Sequence, residues 1–132
     1  MSNVDTVQAI YGAFGRGDIP FILDQVADTV DWDYASASDV PWLQPRQGKA
    51  GVRAFFEALG GFEITKFVPH TILDGGDVVV ALIDIEATTK TTGNRVQEND
   101  ETHIWRFDAQ GKVVRFAHKV DSYAHWKAYH GT

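Results

Sequence analysis

The chain has 132 residues, is 44% hydrophobic and 23% charged, carries a formal net charge of −6 and contains no cysteine. The length suits one domain over residues 1–132, the cysteine-free composition excludes disulfides and thiolate chemistry, and scattered Lys and Arg on an acidic background argue against nucleic acid as a partner. No apolar run approaches the roughly 18 residues that span a bilayer, and Met1-Ser2-Asn3-Val4-Asp5 lacks a signal-peptide pattern, so a cytoplasmic protein that takes a small neutral or cationic ligand is expected.

From Val4 to Arg16, the residues Val4, Val7, Ile10, Tyr11 and Phe14 keep the spacing of one helical face, and Gly15 and Gly17 stop the helix. Asp18 is placed to cap a second short helix, with Pro20 in its first turn and Ile19, Ile22, Leu23 and Val26 as its apolar side. Val30-Asp31-Trp32-Asp33-Tyr34 alternates and begins the sheet; if its rings face in, Asp31 and Asp33 face out. Ala35 to Gln47, rich in Ser, Pro and Asp, reads as a long connection of the kind that forms lids and binding loops. Gly48 to Leu59 returns to helical spacing through Val52, Phe55, Phe56 and Leu59.

The remainder is sheet. Phe62 to Leu73, Val78 to Lys90, a strand from the Lys90–Arg95 turn to Phe107, and Val113 to Asp121 read as a four-stranded antiparallel meander. Ser122 to Tyr129 follows as a short helix or tail. Segregated helices and strands predict an α+β fold, with helices on one face of a curved antiparallel sheet that wraps a pocket. Apolar residues on both parities of Val78–Ile83 predict that a second copy covers the outer face of the sheet, giving a homodimer.

Several of these segments together are similar to a known family: Ala13-Phe14-Gly15-Arg16-Gly17-Asp18-Ile19, Val30-Asp31-Trp32, Val40-Pro41-Trp42, Gly51-Val52-Arg53-Ala54-Phe55-Phe56, and the hairpin from His103-Ile104-Trp105 to Asp121. Over nearly the whole chain they resemble the SnoaL-like branch of the nuclear transport factor 2-like superfamily. The resemblance implies a cone-shaped α+β barrel, usually dimeric, whose interior hosts ketosteroid isomerases, polyketide cyclases, epoxide hydrolases and dehydratases, as well as proteins that only bind. It specifies the fold far more tightly than the reaction. Ketosteroid isomerase needs an aspartate base and an oxyanion hole of a tyrosine and a protonated aspartate; the corresponding positions here are Trp32, Ile10 and His103, so the resemblance does not carry that mechanism over. An aspartate ten residues after the hairpin glycine, here Asp121, resembles the acid/base aspartate of limonene epoxide hydrolase and SnoaL-type cyclases. The Arg and Asp that complete the hydrolase site have no counterpart on the preceding strand, which offers Glu101, His103 and Trp105.

Period-two alternation puts Glu101, His103, Trp105 and Phe107 on one face, and since the rings belong inside, so does His103. There it is either a general base whose charge state one neighbour sets, or a histidine held in the core or at the pocket rim. Asp121 is its expected partner, or the acid. On strict alternation, however, Asp121 lies opposite Phe116, His118 and Val120; a bulge brings it in, and otherwise it caps the terminal helix and His118 replaces it in the pocket. Trp32, Trp42, Phe55, Phe67 and Trp105 are the expected walls, Trp42 by folding over the cavity mouth, and Tyr11 and Tyr34 are further hydroxyl sources. The histidines at 70, 103, 118, 125 and 130 follow no metal-ligand spacing, His125 and His130 read as solvated tail, and neither a metal nor a cofactor is expected. Two functions remain open: a cofactor-free acid–base enzyme of isomerase, cyclase, dehydratase or hydratase type acting on a small apolar oxygenated molecule, or a module that holds a ligand or a protein partner without chemistry.

Overall fold

The first helix, α1 (Asn3–Arg16), starts in a reciprocal cap: the Asp5 amide donates to Ser2 Oγ and the Ser2 amide to Asp5 Oδ2, each at 3.1 Å. Gly17, in the left-handed region at φ 71°, ends it. Asp18 then accepts from the Phe21 amide at 3.2 Å and opens α2 (Ile19–Gln25), with Pro20 in the first turn where its missing N–H is not needed. The computed structural model describes residues 2–34, 36 and 38–131.

The remaining elements are β1 (Val26–Trp32), β2 (Arg46–Gln47), α3 (Gly48–Leu59), β3 (Phe62–Asp74), β4 (Val78–Thr89), β5 (Arg95–Phe107), β6 (Val113–Lys119) and α4 (Ser122–His130). They form one six-stranded sheet in the order β2-β1-β6-β5-β4-β3. The meander β3 to β6 is antiparallel as expected, but β1 runs parallel to β6, so the sheet is mixed. It curves without closing: β2 and β3 are its two edges. Helices α1, α2 and α3 bury Val7, Ile10, Ala13, Ile22, Val52 and Phe55 together with Val30, Val79 and Val113 of the strands.

Three boundaries differ from the sequence reading. β1 begins at Val26 rather than Val30, and it ends at Trp32 because Asp33 turns left-handed at φ 55°. The connection expected over 35–47 contributes its last two residues to β2, while Ala35 and Ala37 lie outside the described residues. β6 stops at Lys119, and the segment from Ser122 is a true helix through His130.

One irregularity positions the site. In the β4–β5 pair, Ile83 faces Glu101 and Ile85 faces Glu98, so Asn99 and Asp100 together oppose Asp84 in a β-bulge. Asp100 takes φ 63°, and its amide donates to Asp84 Oδ1 at 3.1 Å. The extra residue reverses the parity of β5: Val96 is buried before the bulge, and Glu101, His103, Trp105 and Phe107 are buried after it. Deleting Asp100 should restore straight alternation, turn Val96 out of the core and sharply lower the urea midpoint. Asp100→Gly keeps the bulge, since glycine accepts the left-handed backbone, and should stay within about 1 kcal/mol of wild type, the scale of an exposed ion pair.

Candidate active site

Between the helices and the concave side of the sheet lies a narrow cavity of about 60 Å³. All five expected wall residues line it, Trp32 from β1, Trp42 from the β1–β2 connection, Phe55 from α3, Phe67 from β3 and Trp105 from β5, joined by Phe116 and His118 of β6. Trp32 stacks on Phe116 at 4.2 Å between ring centroids and meets Trp105 edge-on at 5.8 Å, so the walls brace each other. Trp42 is 2% exposed and packs on Phe62 at 4.0 Å between ring centroids.

His103 sits in a chain of four hydrogen-bonded side chains. Trp105 Nε1–H donates to the Tyr11 hydroxyl at 3.0 Å, Tyr11 Oη lies 2.8 Å from His103 Nδ1, and His103 Nε2 lies 3.1 Å from Glu101 Oε2. An indole N–H only donates, and an ionised carboxylate only accepts. With neutral His103 the chain therefore has one direction: Tyr11 donates to Nδ1, and Nε2–H donates to Glu101. Burial pushes the Glu101 carboxyl upward, but the His103 hydrogen bond and the charges of His103, His118 and His125 outweigh it and hold the group below its ordinary value. Burial pushes the Tyr11 hydroxyl well above its ordinary value against the opposing Trp105 hydrogen bond, with the Glu101 charge adding to the rise, so it stays protonated.

His118 has a different partner. Its Nδ1 lies 2.6 Å from Asp33 Oδ1, which also accepts the His118 backbone N–H at 3.0 Å. Burial pulls the His118 pKa down, and the hydrogen bond and charge of Asp33, aided by Glu101 and Glu98, overcome that and raise it. Its Nε2 has no protein partner among the described residues. A third pair lies at the α4 end: Trp42 Nε1–H donates to His125 Nδ1 at 2.9 Å, and His125 Nε2 bonds Glu98 Oε1.

Several site expectations need correction. Asp121 does not approach His103: it is exposed beyond the end of β6 and caps α4, accepting from the Ala124 amide at 3.1 Å. His118 takes its place in the cavity because Phe116 and His118 share the inward parity of β6. Asp33 does not face out; the left-handed turn after Trp32 swings it under His118, at 0% exposure. His125 is buried rather than solvated, and His130 bonds Asp39 at 3.0 Å. Glu101 was visible in the sequence as the same-face neighbour of His103 two residues away. Asp33, Glu98 and His125 gave no such signal.

Glu98, Glu101 and His125 bring three ligand-type atoms within 4.8 Å of one another. The Trp42 hydrogen bond makes Nδ1 of neutral His125 an acceptor, so its proton is on Nε2, the nitrogen that faces the carboxylates. Metal ligation there would have to displace that proton, so the cluster reads as a hydrogen-bonded pair with a neighbouring carboxylate.

Comparison with known proteins adds to this geometry. A sequence profile of the SnoaL-like domain matches residues 7–116. A nuclear transport factor 2-like protein of unknown function from Burkholderia pseudomallei is 25% identical, with 98% of each chain covered and a TM-score of 0.81. A Mesorhizobium loti protein whose name likens it to SnoaL polyketide cyclases is 19% identical over 91% of this chain and 100% of its own, at a TM-score of 0.72. The Δ5-3-ketosteroid isomerase of a Mycobacterium species is 17% identical over 94% of this chain and 97% of its own, at a TM-score of 0.73. No curated protein sequence matches the chain.

The His118–Asp33 pair makes stability depend on pH. The folded state raises the His118 pKa above its ordinary 6.5, so the pair's stabilisation is complete below about pH 6.5 and lost as pH rises through the raised value. Glu101 acts in the opposite sense: its contribution is complete above its ordinary 4.5 and lost as pH falls through the depressed value. Differential scanning calorimetry should show the wild-type Tm falling on the alkaline side, and Asp33→Asn should flatten that limb. Parallel alkaline limbs for the two proteins would show that the pair carries no such linkage.

Proposed function

This chain belongs to the SnoaL-like domain family, and we propose on that premise that it is a cofactor-free acid–base enzyme for a small, largely apolar, oxygenated substrate. One observation carries the reading: the hydroxyl–imidazole–carboxylate chain Tyr11–His103–Glu101, which lines a largely apolar cavity. The same logic underlies hydroxyl–histidine–carboxylate triads, where the carboxylate fixes the ring tautomer and stabilises the imidazolium. In the proposed step a substrate C–H or O–H bond breaks, its electron pair stays on the substrate, and the proton passes to the Tyr11 oxygen while the Tyr11 proton moves to His103 Nδ1. Glu101 stabilises the resulting imidazolium, and the Trp105 N–H stabilises charge that develops on the Tyr11 oxygen. Reversing the relay at another substrate atom completes an isomerisation, an aldol-type cyclisation or a dehydration.

The reading that the cavity only holds a ligand is favoured by one feature: both ring nitrogens of His103 already have protein partners. Under that reading the relay is a structural network. We also read the outer face of the sheet as covered by a second copy, because Leu73 and Val68 stand there 54% and 43% exposed, opposite Val80 and Asp84 of β4. Sedimentation should give a dimer and Leu73→Glu a monomer; a monomeric wild type removes this part of the proposal.

Proton transfer is testable without the natural substrate. In deuterated buffer, the protein should accelerate hydrogen exchange at the methyl group of acetophenone, followed by NMR. His103→Ala should remove about 10²- to 10⁴-fold of that acceleration, the usual contribution of one acid–base group. Tyr11→Phe, which removes the oxygen that takes the substrate proton, should cost as much, and Glu101→Gln should remove part of it. Exchange no faster than in buffer, or equal in wild type and His103→Ala, retires the acid–base reading and leaves the binder.

A further inference from the structure

Glu98 and Glu101 are three residues apart on β5, and in a regular strand such residues face opposite sides of the sheet. The bulge at Asn99 and Asp100 changes that: Glu98 keeps the inward parity of Val96, and Glu101 opens the inward set that continues through His103. The two carboxylates thus follow one another on the concave face, with an oxygen of each within 4.8 Å, a distance that a single water molecule bridges. Their surroundings differ. The Glu101 side chain is 4% exposed and bonds His103 Nε2 at 3.1 Å inside the cavity, whereas that of Glu98 is 10% exposed and reaches the surface beside Asp121. Glu98 is also held at both oxygens. His125 Nε2 bonds Oε1, and the Asp121 backbone N–H donates to Oε2 at 2.8 Å, while Trp42 fixes His125 from its other ring nitrogen at 2.9 Å.

We propose that Glu98 is the proton port of the site: a proton on His103 Nε2 passes to Glu101, then to Glu98, then to bulk water, and a solvent proton returns the same way. When His103 is the imidazolium, its Nε2–H bond breaks, the electron pair stays on nitrogen, and an O–H bond forms on Glu101. The same exchange carries the proton to Glu98 and on to water, so both carboxylates are restored, a neutral imidazole remains, and the proton leaves as hydronium. Tyr11, on the other ring nitrogen of His103, is engaged with the substrate in the proposed step, which leaves the Glu101 side free to exchange. The inference deepens the acid–base reading and, as a route for turnover, rests on it. An abstracted proton that cannot reach water returns to the substrate, whereas one that leaves at Glu98 is replaced from solvent. Glu98 touches no substrate; it relays, and His125 and Asp121 position it.

The route is testable without substrate. In protein carrying isotope-labelled histidine and tryptophan, water-exchange NMR reads the His103 Nε2–H and, as a reporter of cavity opening, the Trp32 Nε1–H, whose residue is 1% exposed. Protons that wait for the cavity to open share its opening factor, so in wild type His103 should exchange about tenfold or more ahead of Trp32 once each is scaled to its free side chain. Glu98→Gln keeps the size of the side chain and an acceptor oxygen but carries no acid proton. It should slow His103 exchange about 10²-fold, the lower end of what one proton-transferring group contributes, and leave Trp32 unchanged. In Glu98→Ala, added formate should restore the His103 rate and chloride should not, a response that a purely structural role would not give. The wild-type comparison needs no variant to fold. A scaled His103 rate equal to that of Trp32, or one unmoved by Glu98→Gln, overturns the port. Methyl exchange of acetophenone is read in the same samples. Fast His103 exchange that Glu98→Gln slows, without methyl exchange, supports the port as a proton path and retires the base, whereas methyl exchange with a His103 rate indifferent to Glu98 overturns the port and leaves the base.

Discussion

Two carboxylates, Asp33 and Glu101, are almost wholly removed from water, at 0% and 3% exposure, and the cavity is organised around matching them. A buried carboxylate without a partner carries a penalty of several kcal/mol, on the order of the whole stability of a small domain. Each therefore faces an imidazole from a neighbouring strand or its own: Asp33 meets His118 of β6, and Glu101 meets His103 two residues along β5. Glu98, less deeply buried, is held by His125 of α4. Removing one histidine leaves an uncompensated charge, so these residues are constrained together. The aromatic walls supply the low dielectric that makes the constraint severe.

Most of the fold was legible because it rests on periodicity. α1, α3 and the strands of the β3–β6 meander follow apolar spacing, and caps such as Asp18 and Gly17 mark their ends. The inward set Glu101, His103, Trp105, Phe107 was equally readable from alternation. What escaped the sequence lies where alternation breaks. Asp33 and Asp100 both adopt positive φ, and neither position carries a glycine that would announce it. The first swings a carboxylate expected at the surface under His118, and the second resets the parity of β5 between Glu98 and Glu101. Such turns are stabilised by tertiary partners, Asp84 for the Asp100 amide and His118 for the Asp33 side chain, which no local window contains. His125 escaped for a related reason: the weak apolar pattern of α4 hides that Trp42 and Glu98 draw it inward.

The tryptophans show how little burial alone says about a site. Strand alternation placed Trp32 and Trp105 in the walls and a Pro-flanked loop placed Trp42 over the mouth, and all three line the cavity. Their N–H groups decide what each does. Trp105 fixes the direction of the Tyr11–His103 hydrogen bond, because a donor already on the tyrosine oxygen leaves its hydroxyl proton free for Nδ1. Trp42 fixes the tautomer of His125 in the same way. Trp32 Nε1–H has no acceptor among the described residues.

Asp121 bears on the site by position rather than by proton transfer. Its side chain starts α4, and its backbone N–H donates to Glu98 Oε2 at 2.8 Å, so it sets where His125 and Glu98 stand. Which polar group β6 presents to the cavity is then a matter of parity. With Phe116 inward, the next inward residue is His118, and the strand ends before alternation could present another. An imidazolium there differs from a carboxylic acid in one useful respect: it donates without first having to be kept neutral by its surroundings. Glu98 and Glu101 add to Asp33 in sustaining this imidazolium, so the carboxylate that bonds His103 also favours a cation on the neighbouring strand, whose His118 ring lies 6.1 Å from that of His103.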